Sequence, residues 1–400
     1  MSHRKDFILV LDAGTTTVRA IAFRPDLTAI GRFEARLAKT FPRRGWVEQD
    51  PRQMIRLARR VLRRVVGDNG LQPRDCLGIG ITNQRETAVL WDERTGRPAY
   101  PAIVWEDLRT SSWCRRLKRT HGREVRALTG LSVDPYFSAT KITWVLAHVP
   151  AARHLLEAGR LRFGTVDSWL LWNLAVGRPH VTDETNAGRT LLLGAKTRGW
   201  DRRLLEIFGV PASILPRVLP SRSEFGRLGR SVLGREIPFL AVCGDQQSSL
   251  YAAWGHVGGR HATKITYGTG TFVNQVIGRR FEIRDPFFTT IVPDRSGGSA
   301  YALEAKIAKG GREVEPLLGD DRRLRRFLKR LATEADGYLQ ALPHRPKTVA
   351  VDGGVSRDGI VGAYQAQISG VTIRPLPIFD GTALGTARLV IERAKSRLSP

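Results

Sequence analysis

The sequence predicts an α/β protein built as two related halves that face each other across a cleft. Short apolar strands alternate with amphipathic helices along the chain, the pattern of sheets covered by helices. Two hairpins carry Gly- and Thr-rich turns, and each opens a long α/β stretch. One runs from Phe7–Leu11 through residues 12–17 into Val18–Phe23, the other from Lys264–Tyr267 through Gly268-Thr-Gly270 into Thr271–Ile277. Finally, 400 residues of which 42% are apolar suffice for more than one core.

After the first hairpin, the stretch Met54–Val66 sets Arg56, Arg59, Arg60, Arg63 and Arg64 at helical spacing opposite Leu57, Ala58, Val61, Leu62 and Val65. This reads as a helix with a solvated basic face. The strand Gly78–Ile81 leads into Asn83-Gln-Arg-Glu-Thr87. The strand Pro238–Cys243 ends in Gly244-Asp245 and runs into a helix through Trp254. The boundary between the halves falls there, giving domains 1–248 and 249–400. In the second half, a helix starts near Asp320 with carboxylates where the helix dipole favours them. The strand Val349–Val351 then ends in Asp352-Gly353-Gly354.

The net charge is +26, from 53 Arg and 11 Lys against 38 acidic residues. These cations spread over helix faces instead of concentrating in one stretch, so no specific nucleic-acid partner is expected. Cys76, Cys114 and Cys243 stand far apart, which excludes a disulfide scaffold and a cysteine-built zinc site and fits a reducing cytoplasm. The run Phe7–Leu11 is far too short for a membrane span, and no membrane insertion is expected.

Several segments offer chemistry. Asp12 beside Gly14-Thr15-Thr16-Thr17, with Arg19 close behind, is either a phosphate-wrapping turn or an ordinary polar hairpin. Asp352-Gly353-Gly354 lets backbone approach a planar or anionic ligand, or is simply a tight strand-to-helix turn. Asp245 stands at a strand's carboxyl end, where open sheets bind ligands. It either caps the following helix or takes a proton from a hydroxyl nucleophile. Arg85 and Glu86 follow a strand in the same manner, to bind a polyol or to pair with each other. No Walker A run, protein-kinase Gly-rich loop, His-Glu-x-x-His or Gly-x-Ser-x-Gly occurs.

Together these segments resemble the FGGY carbohydrate kinases, most closely the members that act on glycerol. The resemblance rests on Leu11-Asp-Ala-Gly-Thr-Thr16, Phe41-Pro42 with Gly45-Trp-Val-Glu-Gln-Asp-Pro51, Gly78-Ile-Gly-Ile-Thr-Asn-Gln-Arg-Glu-Thr87 and Ala102-Ile-Val-Trp-Glu-Asp-Leu-Arg-Thr110. It continues in Asp134-Pro-Tyr-Phe-Ser-Ala-Thr-Lys141, Phe163-Gly-Thr-Val-Asp-Ser-Trp169, Val181-Thr-Asp-Glu-Thr-Asn186, Gly244-Asp-Gln-Gln247, Tyr267-Gly-Thr-Gly270 and Asp352-Gly-Gly354. It implies two actin-like ATPase domains with ribonuclease-H-like cores and transfer of the ATP γ-phosphoryl group to glycerol. By position, Asp245 falls on the catalytic base. Arg85, Glu86, Tyr136, Asp245 and Gln246 fall on the contacts to glycerol hydroxyls, and Trp105 and Phe272 on the packing against its carbon edge. Thr15, Thr16, Thr17, Arg19 and Thr269 would surround the phosphates, Gly311, Gly354 and Asp358 would lie by the nucleotide, and Asp12 would act through Mg²⁺. The family also makes a homodimer or homotetramer an expectation.

The chain departs from that pattern mainly between residues 305 and 320, where the family carries a much longer segment. Ala305, Glu315 and Asp358 replace common Gly, Gln and Asn residues on the nucleotide side, and Ala13 and Leu108 replace Gln and Arg elsewhere. The second domain is therefore expected to be reduced. A polyol-binding relative with impaired catalysis, or an FGGY kinase for another polyol or ketose, are the alternative expectations.

Overall fold

The structure, a computed structural model, describes residues 6–268, 270–307, 310–377 and 380–398. It forms two compact units, residues 1–245 with 386–400 and residues 246–385. Sequence reading placed one boundary at 248, with everything after it in the second domain; the structure has two crossings, each inside a helix.

In the first unit, a six-stranded sheet contains β1 (Phe7–Ala13), β2 (Thr17–Phe23), β3 (Ala29–Arg36), β4 (Cys76–Asn83), β5 (Arg227–Leu228) and β6 (Ile237–Gly244), in the order β5-β6-β4-β1-β2-β3. The hairpin strands are antiparallel, while β1, β4 and β6 run parallel. The predicted turn 12–17 is tighter than expected, because Asp12, Ala13 and Thr17 belong to the strands. The parallel strands are near-continuous apolar runs, as sheets covered on both faces require. Register pairs Ala13 with Asn83 and Asn83 with Gly244, so three strands end level. The segments that follow them leave one sheet edge together.

Helix α1 (Pro51–Asp68) starts with Asp50 accepting from Arg52 N at 2.8 Å and Pro51 in the first turn. Met54, Ile55, Ala58, Val61, Leu62, Val65 and Val66 are buried, and the five arginines of its other face are exposed, as the spacing predicts. Helix α2 (Val166–Leu174) is buried and donates from Trp169 Nε1 to Pro51 O at 2.8 Å.

In the first turn of α2, Asp167 accepts from Thr165 and Thr182 hydroxyls at 2.5 and 2.7 Å. Burial, reinforced by the charge of Asp183, pushes its pKa up to about 7. A carboxyl whose folded pKa exceeds its unfolded value contributes stability that is complete below about pH 4 and lost as pH rises through 7. We expect Asp167→Asn to flatten the decline of unfolding free energy between pH 5 and pH 8, removing a term on the order of 3 kcal/mol. Urea unfolding at several pH values checks this, and an unchanged slope in the variant would refute it.

The second unit has its own six-stranded sheet: β7 (Thr263–Tyr267), β8 (Thr271–Gly278), β9 (Phe288–Pro293), β10 (Ser299–Ile307), β11 (Thr348–Asp352) and β12 (Thr372–Pro375), in the order β9-β10-β8-β7-β11-β12. Strands β7, β8 and β10 are antiparallel, and β7, β11 and β12 parallel. The first unit has the same plan in β3-β2-β1-β4-β6. Each unit thus repeats one hairpin-led design, the duplication that the two Gly/Thr turns suggested.

Helix α3 (Asp245–Val257) follows β6. Helix α4 (Asp321–Ala341) is started by Asp320, which accepts from Arg323 N at 3.0 Å, and it buries Leu328, Leu331, Ala332, Ala335 and Leu339 while its arginines are exposed. Between β10 and α4 the chain uses only residues 308–320, where the shortening was expected. Helix α5 (Ile360–Ser369) and α6 (Gly381–Leu398) complete the fold. From Thr386 onward α6 belongs to the first unit, and Gly80 of β4 admits it there. A Cβ there would lie 2.4 Å from Thr386 Cγ2 and 2.7 Å from Val390.

Candidate active site

At the common edge of β1, β4 and β6, Arg85 is buried, and its guanidinium gathers the neighbouring polar groups. Arg85 Nε lies 3.3 Å from Asp245 Oδ1 and 3.7 Å from Glu86 Oε1, and its Nη2 donates to the Tyr136 hydroxyl at 3.3 Å. Glu86 is buried with a left-handed backbone, φ +62°, which turns the chain sharply after β4. Asp245 keeps a third of its side chain exposed. The ring of Trp105 stands edge-on to Tyr136, with centroids 5.6 Å apart. Of the seven residues assigned to the polyol, Arg85, Glu86, Trp105, Tyr136 and Asp245 therefore come together within the first unit. Gln246 and Phe272 belong to the second unit.

This cluster is braced by residues the sequence reading did not single out for a role. Asp183 accepts from Thr185 N, Asn186 N and the Ser221 hydroxyl at 3.0, 2.9 and 2.6 Å. Asn186 in turn accepts from Asn83 Nδ2 at 2.9 Å, and the Thr185 hydroxyl accepts from Gly244 N at 2.8 Å. The motif Val181–Asn186 thus ties the ends of β4 and β6 together, just before Arg85 and Asp245. Lys141 is buried and donates to the carbonyls of Pro135, Tyr136 and Phe137 at 2.5, 2.9 and 3.1 Å, fixing the loop that presents Tyr136. Burial pushes its pKa down to about 8, against the pull of the Glu86 and Asp107 carboxylates.

Arg109 secures the loop of Trp105. Its guanidinium bonds Glu48 and Asp107 at 2.8 Å and lies 3.9 and 4.6 Å from the rings of Trp46 and Trp144. Arg189 is fully buried and donates from Nε to Glu86 Oε1 at 2.6 Å. In the sequence Lys141 ends the motif Asp134–Lys141 and Arg189 follows Val181–Asn186, and nothing else there marks them.

The turn Gly14–Thr16 joins this cluster. Trp105 Nε1 donates to the Thr15 hydroxyl at 2.9 Å, and Gln49 Nε2 donates to Thr15 O at 2.7 Å. Thr16 is exposed, and Thr17 already lies in β2. Arg19 reaches back across the hairpin to Asp12 Oδ2 at 2.7 Å through Nε and 2.5 Å through Nη2. Among the described residues no group of three or more candidate metal ligands occurs. A lone carboxylate such as Asp12 suits Mg²⁺, which commonly takes one or two carboxylates, waters and the oxygens of a bound phosphate.

In the second unit, the strand ends form a platform of bare backbone. Gly311 N donates to Gly268 O at 2.6 Å, and Gly353, at φ +98°, lies against Tyr267 O. Beneath it Lys264 Nζ, fully buried, sits 3.2 Å from Asp352 Oδ1. Gly354 is exposed beyond Gly353. Asp358 accepts from Ile360 N at 3.0 Å, so its carboxylate serves the start of α5. Phe272 is mostly buried on β8. Thr269 lies outside the described residues.

The fold and the sequence have counterparts among known proteins. Residues 7–252 match the family model of the N-terminal domain of the FGGY family of carbohydrate kinases. The chain belongs to the FGGY family. Over 340 residues it is 41% identical to a glycerol kinase of Alcanivorax borkumensis, covering 83% of this chain and 68% of that one. It is 43% identical over 313 residues to a glycerol kinase of Symbiobacterium thermophilum, covering 78% of this chain and 62% of that one. The chain thus spans about two thirds or less of the length of these FGGY relatives. In structure it is similar to Plasmodium falciparum glycerol kinase with ADP, at a TM-score of 0.89 and 24% identity, covering 98% of this chain and 90% of that one. It is also similar to xylulose kinase from Lactobacillus acidophilus, at 0.81 and 14%, covering 99% and 90%. These likenesses establish the sugar-kinase, actin-like ATPase fold. No helix among the described residues is long and apolar enough to cross a membrane.

Proposed function

We propose that this FGGY protein transfers the γ-phosphoryl group of ATP to a terminal hydroxyl of glycerol, giving glycerol 3-phosphate and ADP. The observation that carries the reading is the convergence of Asp245, Glu86 and Tyr136 on the buried Arg85. A small triol has little apolar surface, so its recognition rests on directed hydrogen bonds that a wrong substrate leaves unpaired. Arg85, Glu86, Tyr136 and Gln246 hold the hydroxyls, while Trp105 and Phe272 cover the carbon edge.

Asp245 takes the proton as the hydroxyl oxygen forms its bond to Pγ. The bond from Pγ to the β,γ-bridging oxygen breaks and that electron pair leaves with ADP. The protein's share is alignment and charge stabilisation, with little covalent chemistry of its own. Thr15, Thr16, Thr17, Arg19 and Thr269 receive the phosphates through hydroxyl, backbone and guanidinium donors. Gly311, Gly354 and the neighbourhood of Asp358 receive the rest of the nucleotide. Asp12 would hold Mg²⁺, which would supply neutralisation of phosphate charge.

An ADP-release assay with Mg·ATP and glycerol, dihydroxyacetone, xylulose or gluconate tests this. Turnover that depends on glycerol is the expected result. Turnover confined to xylulose or gluconate overturns the substrate. The nucleotide-side departures Ala305, Glu315 and Asp358 favour one second reading, a polyol-binding relative without catalysis, and calorimetric glycerol binding without ADP release would establish that instead.

A further inference from the structure

The proposed polyol contacts Glu86 and Tyr136 share a neighbour whose side chain is shut off from solvent. Arg189 is fully buried, and its Nε donates to Glu86 Oε1 at 2.6 Å, while its guanidinium carbon lies 5.3 Å from the ring centroid of Tyr136 and 4.9 Å from that of Phe137. Glu86 Oε1 therefore stands between two guanidiniums, with Arg85 Nε at 3.7 Å on its other side. The Arg189 bond falls on Oε1, and Oε2 is the carboxylate's second acceptor. The backbone of Glu86 is fixed as well, since the Ser138 hydroxyl donates to its carbonyl at 3.0 Å. Arg189 is held in turn by its own N–H to Asn186 O at 3.0 Å, within the segment that ties β4 to β6.

We propose that Arg189 is a positioning residue of the polyol site, which clamps one oxygen of Glu86, leaves the other for a substrate hydroxyl, and supports the ring of Tyr136. A carboxylate accepts through either oxygen, and a long side chain has several rotamers. One charge-assisted bond plus a cation over the neighbouring aromatic face selects a single arrangement. The planar guanidinium does both at once, which a lysine ammonium does not. The proposal rests on the polyol-kinase reading, and its test separates the two.

Arg189→Met and Arg189→Lys are compared with the wild-type full chain by steady-state kinetics and hydrogen exchange. Removing a buried charge-assisted bond is expected to raise the KM for glycerol about 30-fold in Arg189→Met, with the KM for ATP within about twofold. Arg189→Lys keeps a donor for Glu86 without the stacked plane and is expected to fall between. Equal changes in both KM values, or a glycerol KM unchanged in folded Arg189→Met, overturn the proposal. If Arg189→Met does not fold, Arg189→Lys decides by the same split between the two KM values.

Hydrogen exchange in peptides covering residues 83–88 and 134–138 reads the clamp without any substrate. Faster exchange in both peptides, with the rest of the chain unchanged, supports it, and unchanged exchange overturns it. Absence of polyol turnover in the wild type would instead sink the kinase reading and leave the exchange result to judge Arg189.

Discussion

Asp245→Asn is expected to lower kcat by about 10³-fold or more while leaving the glycerol Kd within about threefold of wild type, because a general base contributes to the transition state and little to ground-state binding. The geometry separates these effects. Asp245 Oδ1 lies 3.3 Å from Arg85 Nε, and an amide oxygen in the same place still accepts from that guanidinium. The one-third of the side chain that is exposed is the part able to meet a ligand, and there the amide offers no basic oxygen. Arg85 is buried with Glu86 beside it, so its charge keeps a counterion in the variant. Single-turnover ADP release and glycerol calorimetry check the two halves of the expectation. A variant retaining more than about a tenth of the wild-type kcat would remove Asp245 from the role of base.

That test concerns residues legible in the sequence, and the reason they were legible is physical. Asp12, Arg85, Glu86 and Asp245 lie at or just beyond the ends of parallel strands, and such strands announce themselves as apolar runs ending in polar residues. Level strand ends then bring distant segments to one edge, as the register Ala13 to Asn83 to Gly244 does. The supporting residues carry no such signature. Arg189 and Lys141 are two among 64 cations, nearly all of which read as solvated surface, and only packing reveals that these two are buried. The partner of Arg189 lies on another segment, 103 residues away at Glu86, whereas Lys141 bonds carbonyls of the loop just before it, which only the fold turns toward the site.

The return of the chain's last helix to the first unit was hidden for a similar reason. A helix pattern shows where α6 starts but not that it passes from the second unit to the first after Gly385. The glycine that lets α6 approach β4 is Gly80, on a strand remote in sequence. Asp358 illustrates the opposite limit. Its position matches a nucleotide-side residue of the family, while its carboxylate oxygen serves the first turn of α5.

Gly353→Ala is expected to weaken nucleotide binding at least about tenfold and destabilise the second unit by roughly 2–4 kcal/mol, leaving glycerol binding nearly unchanged. Gly353 has φ +98°, a conformation that side chains resist. A Cβ there would lie 2.3 Å from Tyr267 O and 2.9 Å from Gly268 N. Both are backbone atoms, so no rotamer change relieves the overlap, and the loop or the end of β7 must move. Either movement displaces Gly354 relative to the turn after Tyr267, which is the proposed phosphate and nucleotide platform. Lys264 and Asp352 resist the shift, because their buried ion pair anchors the strand from which the loop departs. The strain therefore appears as lost stability as well as lost affinity. Calorimetry with ADP and with glycerol, beside thermal unfolding, reads all three quantities. Nucleotide affinity within twofold of wild type would detach the Gly353 loop from the nucleotide. The two variants differ in kind, since Asp245→Asn stops the reaction with both ligands able to bind, whereas in Gly353→Ala added nucleotide should recover turnover. Saturation with ATP thus distinguishes a missing base from a displaced platform.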